Sequence, residues 1–142
     1  PVFGDTKEGT MASRVAAPLR TSGLVAKGRM VNSEGKSGKG IWGKRARWID
    51  YSGPLRGRTV GVALLDHPKN PRHPTHWHAR DYGLLAANPF GLRHFEGKKN
   101  GEGKLIIKAH ASTGWRYASV VHEGDETAGD IEATWKAGAG GT

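Results

Sequence analysis

The 142-residue sequence contains no cysteine. Disulfide staples and thiolate metal centres are thereby excluded, and the redox compartment is left open. No apolar run approaches the roughly 20 residues that cross a bilayer as a helix, and no signal peptide is recognisable. Walker loops, nucleophile elbows and dinucleotide fingerprints are missing too: the glycines of GKSGKG and GKKNGEG fall between expected β segments rather than between a strand and a helix. No serine or threonine has a base at a meaningful spacing, which argues against serine nucleophile chemistry. Acids are scarce, with 13 Asp and Glu against 22 Lys and Arg, a net charge of +9 and a pI near 10.1. That balance invites a nucleic-acid partner. The basic residues are scattered, however (Lys36, Lys39, Lys44, Arg45, Arg47, Lys98, Lys99, Lys104), without a basic helix, zinc knuckle or aromatic-studded RNA motif, so nucleic acid is not the expected partner. The chain opens on Pro1 rather than Met and closes on a glycine-rich tail, which reads as a processed chain or a piece of a longer one. A soluble protein, periplasmic or extracellular, fits this reading, and the location stays open.

What is present is glycine, 22 residues without a fixed period, with short apolar runs between them. This composition predicts one β-rich domain over residues 1–142. Strands are expected at residues 10–19 and, weakly, 23–31, followed by a polar hairpin loop over 32–40. A strand over 41–51 is closed by Ser52-Gly53-Pro54, and 58–65 (RTVGVALL) is the clearest buried strand. Residues 94–103 read as a charged turn, and 104–109 with 115–122 as a hairpin. Near the end, Asp125 as N-cap, Ile131 and Trp135 four apart, Lys136 and then Gly138 predict one helix. The expected fold is an all-β antiparallel β-sandwich with one short C-terminal helix.

The chain is organised around residues 65–91, LDHPKNPRHPTHWHARDYGLLAANPFG, which hold four of the seven histidines and four of the seven prolines. Proline drives its predecessor into extended geometry, so His67, Asn70 and His73 sit on a stiff loop fed by the 58–65 strand. From Thr75 to Arg80 the pattern reads as a strand, which places His76, His78 and Arg80 on one face and Trp77 on the other.

The pattern DHPxNPRHPTxWHxRDYGLxAANPFG resembles the bacterial PmoA-like family, named "methane oxygenase PmoA" and otherwise a domain of unknown function. FGDTKEG (3–9), VNSEGK (31–36), WGKRARWIDYSGP (42–54) and YASVVHEGD (117–125) extend the likeness over nearly the whole chain. The resemblance is to the C-terminal half of longer proteins whose N-terminal half carries an HPHHRG-type stretch. It implies a partner half that would complete a shared site. It does not imply membrane oxygenase chemistry, because apolar spans are missing.

Three functions compete for the central stretch. The first is a pocket for a small polar metabolite, with carbohydrate foremost. Its floor is Asp66, His67, Arg72, His73, His76, His78 and Arg80, with Tyr82, Asn88 and His122 behind. Histidine serves acid/base chemistry near neutrality, so His76, His78 and His67 are the catalytic candidates and Arg72 or Arg80 would fix the substrate. Asp66 or Asp81 would orient a histidine, and Trp77, Trp42 or Trp48 would offer a ring face if not used for packing. Trp115 and Trp135 are assigned to the core, and His94, His110 and Asp130 to the surface.

The second function is a non-catalytic assembly module. Pairs such as Lys7-Glu8, Lys44-Arg45 and Asp50-Tyr51 would bind the sheet, and the proline loop would meet a second copy or the N-terminal half. The third is a divalent transition-metal enzyme. Imidazoles two apart on a strand lie about 6.5–7 Å from each other at the backbone, so His76 and His78 could share an ion, with His67, Asp66 or His122 as third ligand.

Overall fold

A computed structural model describes residues 1–4, 6–7 and 9–140. Its centre is a long hairpin of β4 (Trp48–Leu55) and β5 (Arg58–Asp66), paired in register from Trp48↔Leu65 to Leu55↔Arg58. The connection is Arg56-Gly57, with φ of 51° and 80°. Both residues are thus left-handed, the geometry whose twist matches a two-residue hairpin. Ser52-Gly53-Pro54 does not end β4, contrary to expectation. Pro54 lies beyond Ser52, the last residue of β4 paired with β3 (Arg29–Asn32), so its missing N–H removes no bond on that side.

The four-stranded sheet runs β3-β4-β5-β9, with β9 spanning Tyr117–Glu123. A three-stranded sheet runs β2 (Met11–Arg14), β7 (Leu84–Asn88), β6 (His76–Trp77), and β1 (Val2–Phe3) pairs with β8 (Leu105–Ile106). All pairings are antiparallel. The main core lies between the two larger sheets: Met30, Ile49, Tyr51 and Leu64 from one, Trp77, Leu85 and Ala87 from the other. On the outer face of the four-stranded sheet, α2 (Ile131–Ala139) packs Ile131 and Trp135 over Val31, Trp48, Ala63, Leu65 and Val120. Burial of β5 on both faces explains its continuous run of apolar residues. The fold is all-β with a short C-terminal helix, and no helix among the described residues is long and apolar enough to cross a membrane.

Several expected boundaries move. The first strand stops at Arg14, and a 3-10 turn occupies 17–19. The second begins only at Arg29, because the stretch before it bonds back to the 3-10 region, Lys27 N–H to Pro18 O and Gly28 N–H to Arg20 O. Residues 38–41 form a 3-10 turn rather than hairpin loop and strand. The hairpin of 104–109 with 115–122 does not form: β8 pairs with β1, and β9 with β5. Both choices join segments distant in sequence, which local pattern cannot encode. A short helix, α1 (Leu92–Glu96), replaces part of the charged turn.

Asp125 caps a turn instead of the helix, accepting the N–H of Thr127 and of Ala128. These bonds hold its carboxyl below the usual range. Asp130 is the N-cap, and α2 passes through Gly138 to Ala139. Of the expected ion pairs, Glu8 lies outside the described residues, Arg45 pairs with Glu96, and Asp50 with His122.

Gly61 of β5 faces His122 of β9, and a Cβ there would collide with the imidazole, whose Nε2 meets Asp50 Oδ1 at 2.7 Å. Gly61→Ala should therefore lower the unfolding free energy by about 1–3 kcal/mol. Gly138→Ala, in open space within α2, should raise it by about 0.5–1 kcal/mol. Urea denaturation of both variants reads the difference.

Candidate functional site

β5 delivers Asp66 into the interior with its carboxylate fully screened from solvent. A buried carboxylate needs donors, and the following loop supplies them. Asn70 Nδ2 donates to Oδ1 at 2.7 Å, while the Thr75 N–H (2.8 Å) and His73 Nδ1 (2.7 Å) both reach Oδ2. Asn70 also joins the loop to the start of β9: its Nδ2 donates to Arg116 O and its Oδ1 accepts the Arg116 N–H, both at 2.6 Å. The Trp135 indole donates to the Asp66 carbonyl at 2.6 Å, tying α2 to the same point. Arg72, with φ of 66°, spends its guanidinium on the carbonyls of Pro89, Gly103 and Lys104 at 2.7–3.0 Å.

Beside this frame a cleft opens at the end of β5. One cavity of about 230 Å³ lies between Leu65–Pro68, Arg116–Ala118 and the α2 residues Thr134, Trp135, Gly138 and Ala139. A second, of about 490 Å³, is lined by His67, Lys69, Asn70, Gly114, Trp115 and Arg116. His67 and Arg116 border both and form the ridge between them. His67 Nδ1 accepts the Lys69 N–H at 3.1 Å, which places the ring proton on Nε2. Burial raises the Tyr117 phenol above its ordinary pKa.

Of the expected floor, Asp66 and His67 reach this cleft; the rest does not line either cavity. His73 is committed to Asp66 and stacks on Trp135 with centroids 6.2 Å apart. Arg72 is the carbonyl clamp described above. His76, His78 and Arg80 share one face, as the alternation predicts, but that face is closed by α1. Phe95 lies 5.2 Å from the His76 ring and 6.5 Å from His78, centroid to centroid. His76 Nε2 meets Glu96 Oε1 at 3.0 Å, and its Nδ1 is buried without a partner. His78 donates from Nδ1 to Lys7 O at 2.6 Å and accepts Arg80 Nε–H at 3.2 Å. These are framework bonds rather than the catalytic roles expected for His76 and His78.

The remaining candidates are also occupied. Trp77 is wholly buried, its indole donating to Ala46 O at 3.0 Å, so it is core rather than ligand-binding. Arg80 lies over Trp42, 5.2 Å from the ring centroid, and Trp48 is buried with its indole on Glu132. Asn88 is buried, bonding Thr6 O and the Phe90 N–H, and Tyr82 is exposed beneath Arg14. His122 belongs to Asp50, whose carboxyl is pushed up by burial against the opposing pull of His122. Among the described residues no group of three His, Cys, Asp or Glu is placed to hold a metal. The expected set of His76, His78 and His122 does not converge, because each imidazole already serves a different acid or carbonyl. The cleft residues that sequence reasoning missed are Lys69, Asn70, Trp115, Arg116 and Tyr117. Lys69 and Asn70 come there with the proline loop itself, whereas Trp115, Arg116 and Tyr117 are brought there by the pairing of β9 with β5; the expected hairpin would have sent those three elsewhere.

The His76 imidazole is lowered from 6.5 to about 4, by burial first and the Arg45 charge second, against the pull of Glu96. Its folded pKa lies below the unfolded one, so in that window the unfolded chain binds the extra proton. The stabilisation is complete above pH 6.5 and is lost as pH falls to about 4, by up to about 3 kcal/mol. His76→Gln should flatten the slope of unfolding free energy between those two pH values, measured by urea titration at each pH.

A family model described as a family of unknown function, DUF6807, matches residues 2–136. No curated protein and no solved structure matches the chain. The match covers β1 through most of α2, including the proline loop and the start of β9 that build the cleft. The chain belongs to DUF6807, a family of unknown function.

Proposed function

We propose that the protein binds a small polar metabolite, with a carbohydrate as first candidate, in the cleft at the end of β5. The observation that carries this reading is the ridge of His67 and Arg116 between two cavities whose walls include Trp115, Tyr117 and Trp135. Sugars present an apolar ring face and a rim of hydroxyls, and a cleft pairing aromatic walls with a few polar groups matches both. If the ligand is also turned over, His67 is the acid/base group, since its Nε2 faces no protein partner among the described residues.

The test is tryptophan fluorescence on titration with a panel of monosaccharides and their acids. Saturable binding is expected, weakened about tenfold, or about 1.4 kcal/mol, by His67→Ala. No response to any member, or one unchanged by His67→Ala, rejects the cleft.

A second reading, assembly, has its own support. β9 ends its sheet, and the Gly124 N–H donates to Thr59 O. Antiparallel alternation then turns the backbone N–H and C=O of Tyr117, Ser119, Val121 and Glu123 outward. Val121 is 79% exposed, and β9 holds no proline or lysine to blunt the edge. Such an edge fits strand addition by a second copy, or by the N-terminal half that the PmoA-like resemblance implies. Light scattering should give a dimer mass that Val121→Lys returns to a monomer; a monomeric wild-type chain would reject self-pairing.

A further inference from the structure

We infer that the cleft selects anionic ligands, seating a carboxylate or phosphate group at the corner formed by His67, Lys69 and Arg116. This rests on the reading of the cleft as a ligand site and adds the charge of what it takes. The corner offers donors and few open acceptors. The Asp66 carboxylate, beside the cleft, is fully screened and already accepts from Asn70, His73 and Thr75. The Asn70 oxygen is taken by the Arg116 N–H, and its nitrogen serves Asp66 and Arg116 O. Both side chains are buried and already engaged, so neither presents an open acceptor to the cleft.

Donors remain. The Lys69 N–H occupies His67 Nδ1, which leaves Nε2–H as the free end of the ring. Among the described residues the Lys69 ammonium and the Arg116 guanidinium form no ion pair, whereas Arg29, Arg45, Arg47 and Arg58 each have a glutamate. Arg116 is fixed at its backbone by both ends of the Asn70 amide, so its cation is rooted at the ridge rather than on a free loop. A corner of one imidazole donor and two cations, with no carboxylate directed into it, is complementary to an anion. Trp115, lining the same cavity, would face the uncharged remainder of the ligand.

The chain's net charge of +9 would attract any anion weakly, so the experiment must separate a seat from a diffuse field. Isothermal titration at physiological salt would compare glucuronate, a glucose monophosphate and glucose on wild type, Arg116→Gln, Lys69→Gln and the remote Lys98→Gln. An anionic sugar should bind at least about tenfold more tightly than glucose, the scale of one charge-assisted hydrogen bond. Arg116→Gln and Lys69→Gln should each remove most of that preference, and Lys98→Gln none of it. Circular dichroism confirms that the variants stay folded. The winning anion identifies the group as carboxylate or phosphate. Equal binding of glucose and its acids overturns the inference while leaving the cleft as a sugar site. A preference that survives both cleft substitutions overturns it as diffuse charge, and no binding of any probe removes the cleft reading itself.

Discussion

A carboxylate closed off from water holds the cleft end of this molecule together. Asp66 is the last residue of β5, and burial there is tolerated because Asn70, His73 and Thr75 all donate to it. Those three donors come from one loop, so satisfying the charge also folds the loop. The Asn70 amide extends the constraint to the start of β9, and the Trp135 indole extends it to α2. Three elements distant in sequence therefore meet around Asp66 and Asn70, and the cleft is the space left among them.

The histidines show how the same residue type divides between the frame and the cleft. His73, His76, His78 and His122 each bond a carboxylate or a carbonyl, and rings or glycines close in around them. In a low-dielectric interior such bonds fix orientation and leave little freedom to exchange protons with a ligand. His76 illustrates the cost: burial and the nearby Arg45 charge disfavour its protonated form, so its imidazole contributes packing against Phe95 and one bond to Glu96. His67 differs because a backbone N–H two residues on satisfies one nitrogen and leaves the other at the cleft.

The edge of β9 and the cleft adjoin. Arg116, Tyr117 and Ala118 line the smaller cavity and lead directly into the outward-facing strand edge. A strand added there would lie close to the cleft.

The all-β class, the buried strand at 58–65, the proline loop after it, the shared face of His76, His78 and Arg80 and the terminal helix were legible in the sequence. Each depends on near neighbours: period-two alternation, proline geometry, or apolar residues four apart. Tertiary structure alone decided which histidine stays open and which basic residue joins it. Those outcomes follow from β9 crossing to pair with β5 and from α1 folding Phe95 over His76, contacts between segments far apart along the chain. Side-chain alternation specifies which way a residue points along its own strand. It carries no information about the element that comes to lie opposite, and that neighbour determines whether a polar side chain is consumed by the fold or left for a ligand.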